Sequence, residues 1–122
     1  MKILVVDDEI DIKDLFLQKF RKEIKSGLMD FNFANSGEEA LELLNGYDPE
    51  SVLILSDINM PGMTGIELLR KIREKHPTSP PEVMMITAYG DEANRNAALQ
   101  MGADDFLTKP LDFNELKTKL LR

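Results

Sequence analysis

Residues 52–62 read Val52-Leu53-Ile54-Leu55-Ser56-Asp57-Ile58-Asn59-Met60-Pro61-Gly62, and they give the clearest indication of the fold class. Its first four residues are all apolar and do not alternate with polar ones, which is typical of a parallel-sheet strand buried on both faces. The run Asn59-Met60-Pro61-Gly62 then predicts a turn. Asp57 therefore comes at the point where a buried strand ends and a loop begins.

Four more short apolar runs predict strands on either side of this one. They are Ile3–Val6, Phe31–Ala34, Val83–Ile86 and Asp105–Leu107. Stretches with helical spacing separate them, so the pattern is strand then helix, five times over. Such alternation implies right-handed crossovers and a parallel sheet covered on both faces. We expect one α/β domain over residues 1–122, a doubly wound (βα)5 fold with the flavodoxin-like strand order 2-1-3-4-5.

Five helices are predicted between and after the strands. The first carries an apolar face formed by Ile12, Leu15, Phe16, Phe20 and Ile24. The fourth has the thinnest face, formed by Ala93, Ala97 and Met101. Three helix starts show a cap residue three positions before an acid: Ser36 with Glu39, Thr64 with Glu67 and Asp112 with Glu115.

Composition excludes several classes of function. The chain has 22 acidic and 15 basic side chains and a formal net charge of -7, which argues against a nucleic-acid-binding surface. It has no cysteine, which excludes disulfides, thiolate metal sites and cysteine nucleophiles. The apolar run at its N-terminus, Ile3–Val6, is too short for a membrane span or a signal peptide. We expect a cytoplasmic domain that does not bind a membrane.

Acidic residues follow two strands that a 2-1-3-4-5 order makes neighbours. Asp7 and Asp8 come after the first strand and Asp57 after the third. Ligands bind at the carboxyl ends of such strands, where the order reverses. Acids after strands are often only helix caps or solvated loop residues. Three converging carboxylates would repel one another, however, and a hard divalent cation such as Mg²⁺ would relieve that repulsion.

A hydroxyl and a cation are predicted at the same edge of the sheet. The fourth strand ends in Thr87, which could donate to a phosphoryl oxygen, and the fifth is followed by Lys109, a point charge suited to phosphate or carboxylate. Either residue alone is more often structural or solvated. Together with the acids, they would bring functional side chains from four strands to one edge of the sheet. Such an arrangement has no evident packing purpose.

With these residues in place, nearly the whole chain resembles the receiver domains of two-component response regulators. The matching stretches are Leu4-Val5-Val6-Asp7-Asp8-Glu9, Ser56-Asp57-Ile58-Asn59-Met60-Pro61-Gly62-Met63-Thr64-Gly65 and Lys109-Pro110-Leu111. Three strings also resemble receivers fused to bacterial adenylate or guanylate cyclases, namely 16–21, 26–31 and 88–91.

The resemblance implies a phosphoacceptor switch rather than an enzyme, with self-phosphotransfer and slow autodephosphorylation only. Asp57 would be the phosphoacceptor. Magnesium would be held by Asp8, Asp57 and the Asn59 carbonyl, and by Asp7 through water. The phosphoryl group would be bound by Thr87, Ala88 and Lys109. Thr87 and Phe106 would form a switch pair, and the bond before Pro110 would be cis.

The resemblance also implies partners. The phosphoryl donor would be a sensor histidine kinase or a histidine phosphotransfer protein. An effector domain or partner protein would contact the face formed by the fourth helix, the fifth strand and the fifth helix. A phosphorylation-dependent dimer through that face is left open.

Tyr89, two residues after Thr87, is either a shield that slows hydrolysis of the phosphoryl group or a partner-facing surface residue.

Two other functions compete with this interpretation. One is a receiver-like binding module that never accepts phosphate, although such modules tend to lack one of the residues named above. The other is a haloacid-dehalogenase-like phosphatase, which also uses an aspartate nucleophile and magnesium. Its nucleophile lies after the first strand in an Asp-x-Asp pattern, whereas Asp7 and Asp8 are adjacent.

Overall fold

A computed structural model describes residues 1–121 and contains one five-stranded parallel sheet, in the order β2-β1-β3-β4-β5. The strands are β1 Lys2–Val6, β2 Asp30–Ala34, β3 Val52–Asp57, β4 Glu82–Thr87 and β5 Asp105–Thr108. The helices are α1 Ile12–Lys19, α2 Arg21–Lys25, α3 Gly37–Leu44, α4 Gly65–Lys75, α5 Glu92–Gln100 and α6 Phe113–Leu120, with a short 3₁₀ turn at Pro49–Ser51. The predicted fold class and strand order are confirmed.

The helices cover both faces of the sheet because successive strand residues point to opposite sides. Leu4 and Val6 of β1 contribute to a core with α3, α4 and α5, whereas Ile3 and Val5 contribute to a core with α1 and α6. The α1 side also holds a cluster of phenylalanine rings, in which Phe16 lies 5.3 to 6.2 Å from four neighbouring rings. The fold therefore has three layers, with a continuous apolar sheet in the middle.

The first predicted helix is wrong in one respect, because the structure divides it into α1 and α2 at Phe20. This residue leaves helical geometry, with φ -107° and ψ 22°. The Phe20 N–H still donates to the Phe16 carbonyl, and the Ile24 N–H donates to the Phe20 carbonyl. Its ring is fully buried against the aromatic cluster. The helical hydrogen bonds thus continue past a single deviating residue, which the apolar periodicity does not reveal.

The predicted caps are present at the starts of α3, α4 and α6. The Ser36 hydroxyl accepts a hydrogen bond from the Glu39 N–H at 3.1 Å, and the Thr64 hydroxyl accepts one from the Glu67 N–H at 3.2 Å. The Asp112 carboxylate accepts hydrogen bonds from two N–H groups of α6. These caps set where α4 and α6 begin, directly after the loops that follow β3 and β5.

The apolar face predicted for the fourth helix, now α5, is partly wrong. Ala98 is the alanine that is fully buried against the sheet, whereas Ala93 is exposed. Ala97 and Met101 are half-buried. A stripe of small side chains defines a helix face poorly, because alanine is tolerated on either side.

Candidate functional site

Three carboxylates meet at the carboxyl ends of β1 and β3. Asp57 is the last residue of β3, and Asp7 and Asp8 directly follow β1, the neighbouring parallel strand. Ligand oxygens of all three residues lie within 4.8 Å of one another. Asp7 and Asp57 are each only 3% exposed, whereas Asp8 is open to solvent. The sheet therefore concentrates negative charge at one partly buried point.

The charge on Asp7 is unfavourable in this position. Burial raises the pKa of the Asp7 carboxyl above its ordinary value, and the neighbouring negative charge of Asp57 raises it further. The Glu9 N–H, which donates to Asp7 Oδ1 at 2.9 Å, opposes this rise without cancelling it. A cation placed among the three carboxylates would remove the repulsion.

Lys109 supplies one such cation from the residue directly after β5. Its Nζ atom lies 2.9 Å from Asp57 Oδ2 and 3.9 Å from Glu9 Oε1. Burial alone lowers the pKa of Lys109, but the hydrogen bond to Asp57 and the surrounding carboxylates outweigh this, so the pKa is raised. The lysine therefore remains protonated and faces the acids. The Lys109–Pro110 peptide bond is cis, as are the Ser79–Pro80 and Pro80–Pro81 bonds.

Thr87 and Phe106 are diagonal neighbours on one face of the sheet. Thr87, the last residue of β4, pairs with Thr108, while Met85 pairs with Phe106. Thr87 is buried, and its hydroxyl donates to the Leu107 carbonyl at 3.4 Å, so it is engaged with β5 rather than with the acids. Phe106 is half-buried. Ala88 follows Thr87 and lines a cleft beside it.

The loop after Asp57 is held against β3 by Gly65, the first residue of α4. The Gly65 N–H donates to the Ile58 carbonyl at 2.8 Å. A Cβ atom at this position would lie 2.8 Å from Ile58 Cα and closer still to the carbonyl oxygen of Asp57. Only glycine allows this approach. Asn59 lies exposed in the same loop, two residues beyond Asp57.

The donor set fits a hard divalent cation. All three side chains offer carboxylate oxygens, which Mg²⁺ and Ca²⁺ prefer, and their spacing allows one ion to be shared. Burial and the charge of Asp57 keep the pKa of Asp7 raised, although the positive charge of Lys109 lowers it. Asp7, Asp8 and Asp57 are thus the residues of the described chain that could hold such an ion.

Sequence reasoning missed several residues that shape the site. Glu9 contributes both an N–H to Asp7 and a carboxylate near Lys109, and its position in the acidic run after β1 was the available signal. Gly65 belongs to the motif 56–65, but the sequence does not show how closely its backbone approaches β3. Arg95 of α5, whose guanidinium covers the Phe106 ring, gave no sequence signal.

Tyr89 is 89% exposed, which favours the surface alternative over a shield at Asp57.

Among residues 1–121, no helix has the length and apolar character needed to cross a membrane.

Comparison with known proteins adds independent evidence. A family model for the response regulator receiver domain matches residues 3–121. The transcriptional regulatory protein ResD of Bacillus subtilis is 40% identical over 115 residues, covering 94% of this chain and 44% of ResD. CpxR of Escherichia coli is 38% identical over 121 residues, covering 98% of this chain and 47% of CpxR. The chain spans less than half the length of these two relatives, but it covers 84% of an uncharacterised 14.6 kDa protein of Leptolyngbya boryana, with 40% identity over 116 residues and 95% of this chain aligned.

Solved structures agree with the sequence relatives. The receiver domain of NtrX from Brucella abortus superimposes with a TM-score of 0.81 at 33% identity, covering 98% of this chain and 95% of that one. The receiver domain of the TMAO respiratory system response regulator TorR gives 0.82 at 31% identity, covering 98% and 92%. Since the family match spans nearly the whole chain and the fold and the acidic edge agree with it, this chain belongs to the response regulator receiver domain family of two-component systems.

Proposed function

We propose that this domain is a phosphoacceptor signalling switch that takes a phosphoryl group on Asp57. The observation that carries the proposal is the pairing of a buried Asp57 carboxylate with the Lys109 ammonium at 2.9 Å, within a cluster of two further aspartates. A carboxylate held in this way is both a nucleophile and part of a cation-binding set. Family membership supports the same role.

In the proposed reaction, a carboxylate oxygen of Asp57 attacks the phosphorus of a phosphohistidine. A phosphorus–oxygen bond forms while the phosphorus–nitrogen bond breaks, and the electron pair of that bond stays on the imidazole of the donor. Such transfers require mainly positioning and charge neutralisation from the protein. Lys109 supplies a fixed positive charge next to the attacking carboxylate. Mg²⁺ held by Asp7, Asp8, Asp57 and the Asn59 carbonyl would neutralise further charge on the phosphoryl oxygens.

Phosphorylation would then change the neighbouring strands. The phosphoryl group adds roughly -1.5 to -2 charge and new acceptor oxygens. The Thr87 hydroxyl and the Ala88 N–H lie one strand away and would turn toward it, and Thr87 would give up its hydrogen bond to Leu107. Phe106 would move into the space beside Thr87. A bias of a few kcal/mol is enough to shift such a two-state equilibrium.

The partners follow from this proposal. The donor is a sensor histidine kinase or a histidine phosphotransfer protein of the cytoplasm. The output surface is the face formed by α5, β5 and α6, the structural equivalents of the fourth predicted helix, the fifth strand and the fifth predicted helix. An effector domain or partner protein, or a second copy of the domain, would read that surface. A nucleotide cyclase is one such effector, and ResD and CpxR are transcriptional regulatory proteins by name.

The decisive experiment is the intact mass of the protein after incubation with acetyl phosphate and Mg²⁺. The expected result is a gain of one phosphoryl group on the wild type, none on Asp57→Asn, and none on either protein in the presence of a chelator. Absence of an adduct on folded wild type, repeated with a cognate kinase, would overturn the proposal and favour a phosphorylation-independent binding module. Steady turnover of a phosphomonoester would instead favour a phosphatase.

A further inference from the structure

Phe106 on β5 lies under the guanidinium of Arg95 on α5. The Arg95 Cζ atom is 5.3 Å from the ring centroid, which is the distance of a cation–π contact. The ring is half-buried and packs against the core on this face of the sheet. No carboxylate of residues 1–121 lies within ion-pair distance of Arg95. The guanidinium therefore forms no ion pair with residues 1–121 that would hold it away from the ring.

A cleft of about 280 Å³ lies next to this contact, between the β4–α5 loop and β5. Thr87, Ala88, Arg95 and Thr108 are among its lining residues. Thr108 is two residues beyond Phe106 and so lies on the same face of β5. Because Arg95 both lines the cleft and covers the ring, its guanidinium lies at the boundary between the two. On the proposed function, a ring that moves toward Thr87 would enter this cleft and would lose its contact with the guanidinium.

We infer that Arg95 is a positioning residue that holds Phe106 in its covered position and thereby opposes the phosphorylated state. The inference rests on the proposed function, because it states which of the two proposed positions of the Phe106 ring is stabilised by Arg95. Cation–π contacts at exposed sites are weak, so removal of this one shifts the equilibrium about two- to fivefold. The apparent affinity for a ligand that binds only when Phe106 has moved toward Thr87 changes by the same factor.

The sign of the effect separates this role from simple electrostatics. Arg95 is a positive charge on the side of the molecule where the phosphoryl group would bind. If it acted only through its charge, its removal would weaken the binding of an anion. A residue that holds the ring back has the opposite effect, because its removal strengthens the binding.

The test is titration of the wild type, Arg95→Ala, Arg95→Lys and Arg70→Ala with beryllium trifluoride, an analogue of the phosphoryl group, in Mg²⁺ by nuclear magnetic resonance. Arg70 is a matched control, since it is an exposed arginine on α4 that pairs with Glu74 instead. We expect Arg95→Ala to bind the analogue about two- to fivefold tighter than the wild type. We expect Arg95→Lys to fall between them and Arg70→Ala to match the wild type. In unliganded Arg95→Ala, the Phe106 ring resonances should move toward their positions in the complex.

Equal or weaker binding by Arg95→Ala, with an intact fold and a wild type that binds the analogue, would overturn the role of Arg95 and leave the proposed function standing. A wild type that neither binds the analogue nor takes a phosphoryl group on Asp57 would overturn the proposed function, and the role of Arg95 with it. The Asp57→Asn variant, which should not bind the analogue, identifies the site that is being titrated.

Discussion

The Lys109 ammonium lies 2.9 Å from Asp57 Oδ2, although 52 positions separate the two residues in the sequence. Asp57 ends β3 and Lys109 follows β5, so two strands on either side of β4 bring them together. Asp57 is buried next to Asp7, a second buried carboxylate that repels it. Lys109 is the cation that pairs with Asp57. The pair should therefore matter for stability as well as for chemistry.

Replacement of Lys109 by methionine should lower the free energy of unfolding by about 1–2 kcal/mol in metal-free solution. The value is modest because the lysine side chain is 38% exposed, so solvent screens the pair. Urea denaturation with a chelator measures the change, and Lys71→Met, an exposed lysine on α4, is the control. An unchanged unfolding free energy would show that water already compensates Asp57.

Replacement of Asp7 by asparagine should stabilise the metal-free protein at neutral pH. Burial and the charge of Asp57 raise the pKa of Asp7 in the folded state. Its contribution to stability is therefore fully present below the unfolded value of 3.8 and is lost as the pH rises through the raised folded pKa. Asparagine does not ionise and avoids this loss.

The difference between Asp7→Asn and the wild type should thus be largest near pH 7 and should shrink as the pH falls through the raised pKa. Urea denaturation as a function of pH measures it. Asp8→Asn, at an exposed carboxylate, should show a smaller difference. If both variants match the wild type at pH 7, neither the burial of Asp7 nor its repulsion by Asp57 lowers the stability appreciably.

Replacement of Gly65 by alanine should destabilise the fold by about 2–3 kcal/mol, because the new methyl group would overlap the backbone at Asp57 and Ile58. Elsewhere in a helix the same change usually stabilises. Gly46→Ala is the control, since a Cβ there meets its nearest neighbour at an ordinary 3.5 Å. Thermal denaturation distinguishes the two variants. A Gly65→Ala protein as stable as Gly46→Ala would mean that the loop after Asp57 relaxes freely.

Replacement of Arg73 by methionine should cost about 3 kcal/mol. This buried arginine donates to the Gly102 carbonyl at 3.1 Å, the Pro81 carbonyl at 2.9 Å and the Asp104 carboxylate at 2.9 Å. Its loss leaves all three acceptors short of a donor. Arg70→Met, three residues earlier on α4, should cost less than about 1 kcal/mol because its ion pair is exposed. Similar unfolding free energies for the two variants would contradict the structural role of Arg73.

Replacement of Tyr89 by alanine should leave the lifetime of the phosphorylated state unchanged, because the tyrosine side chain is 89% exposed. Loss of the phosphoryl group, followed by intact mass after removal of the donor, measures the lifetime. Leu99→Ala, at an exposed residue of α5, serves as the control. A clearly shorter lifetime in Tyr89→Ala alone would restore its role as a shield.

The strands and the acidic edge were predictable because each rests on a short local pattern. The apolar run of β3 and the acids after β1 and β3 define both the sheet and the charge that it collects. The break at Phe20 and the burial of Ala98 rather than Ala93 were not predictable, since they depend on what packs opposite each residue. Arg95 and Arg73 were missed for the same reason, because a lone arginine on a helix reveals nothing of its distant partners.

The parallel strand order has a consequence for the synthesis of the protein. β5 is the last strand of the described sheet and pairs with β4, and the residue that follows it is Lys109. While the chain emerges from the ribosome, the aspartates exist well before their lysine. Contacts of such high sequence separation are slow to form, because a long loop must close first. On the proposed function, an unfinished or misfolded chain would hold the nucleophile without the group that pairs with it. A chain would then be able to accept a phosphoryl group efficiently only after β5 has paired with β4.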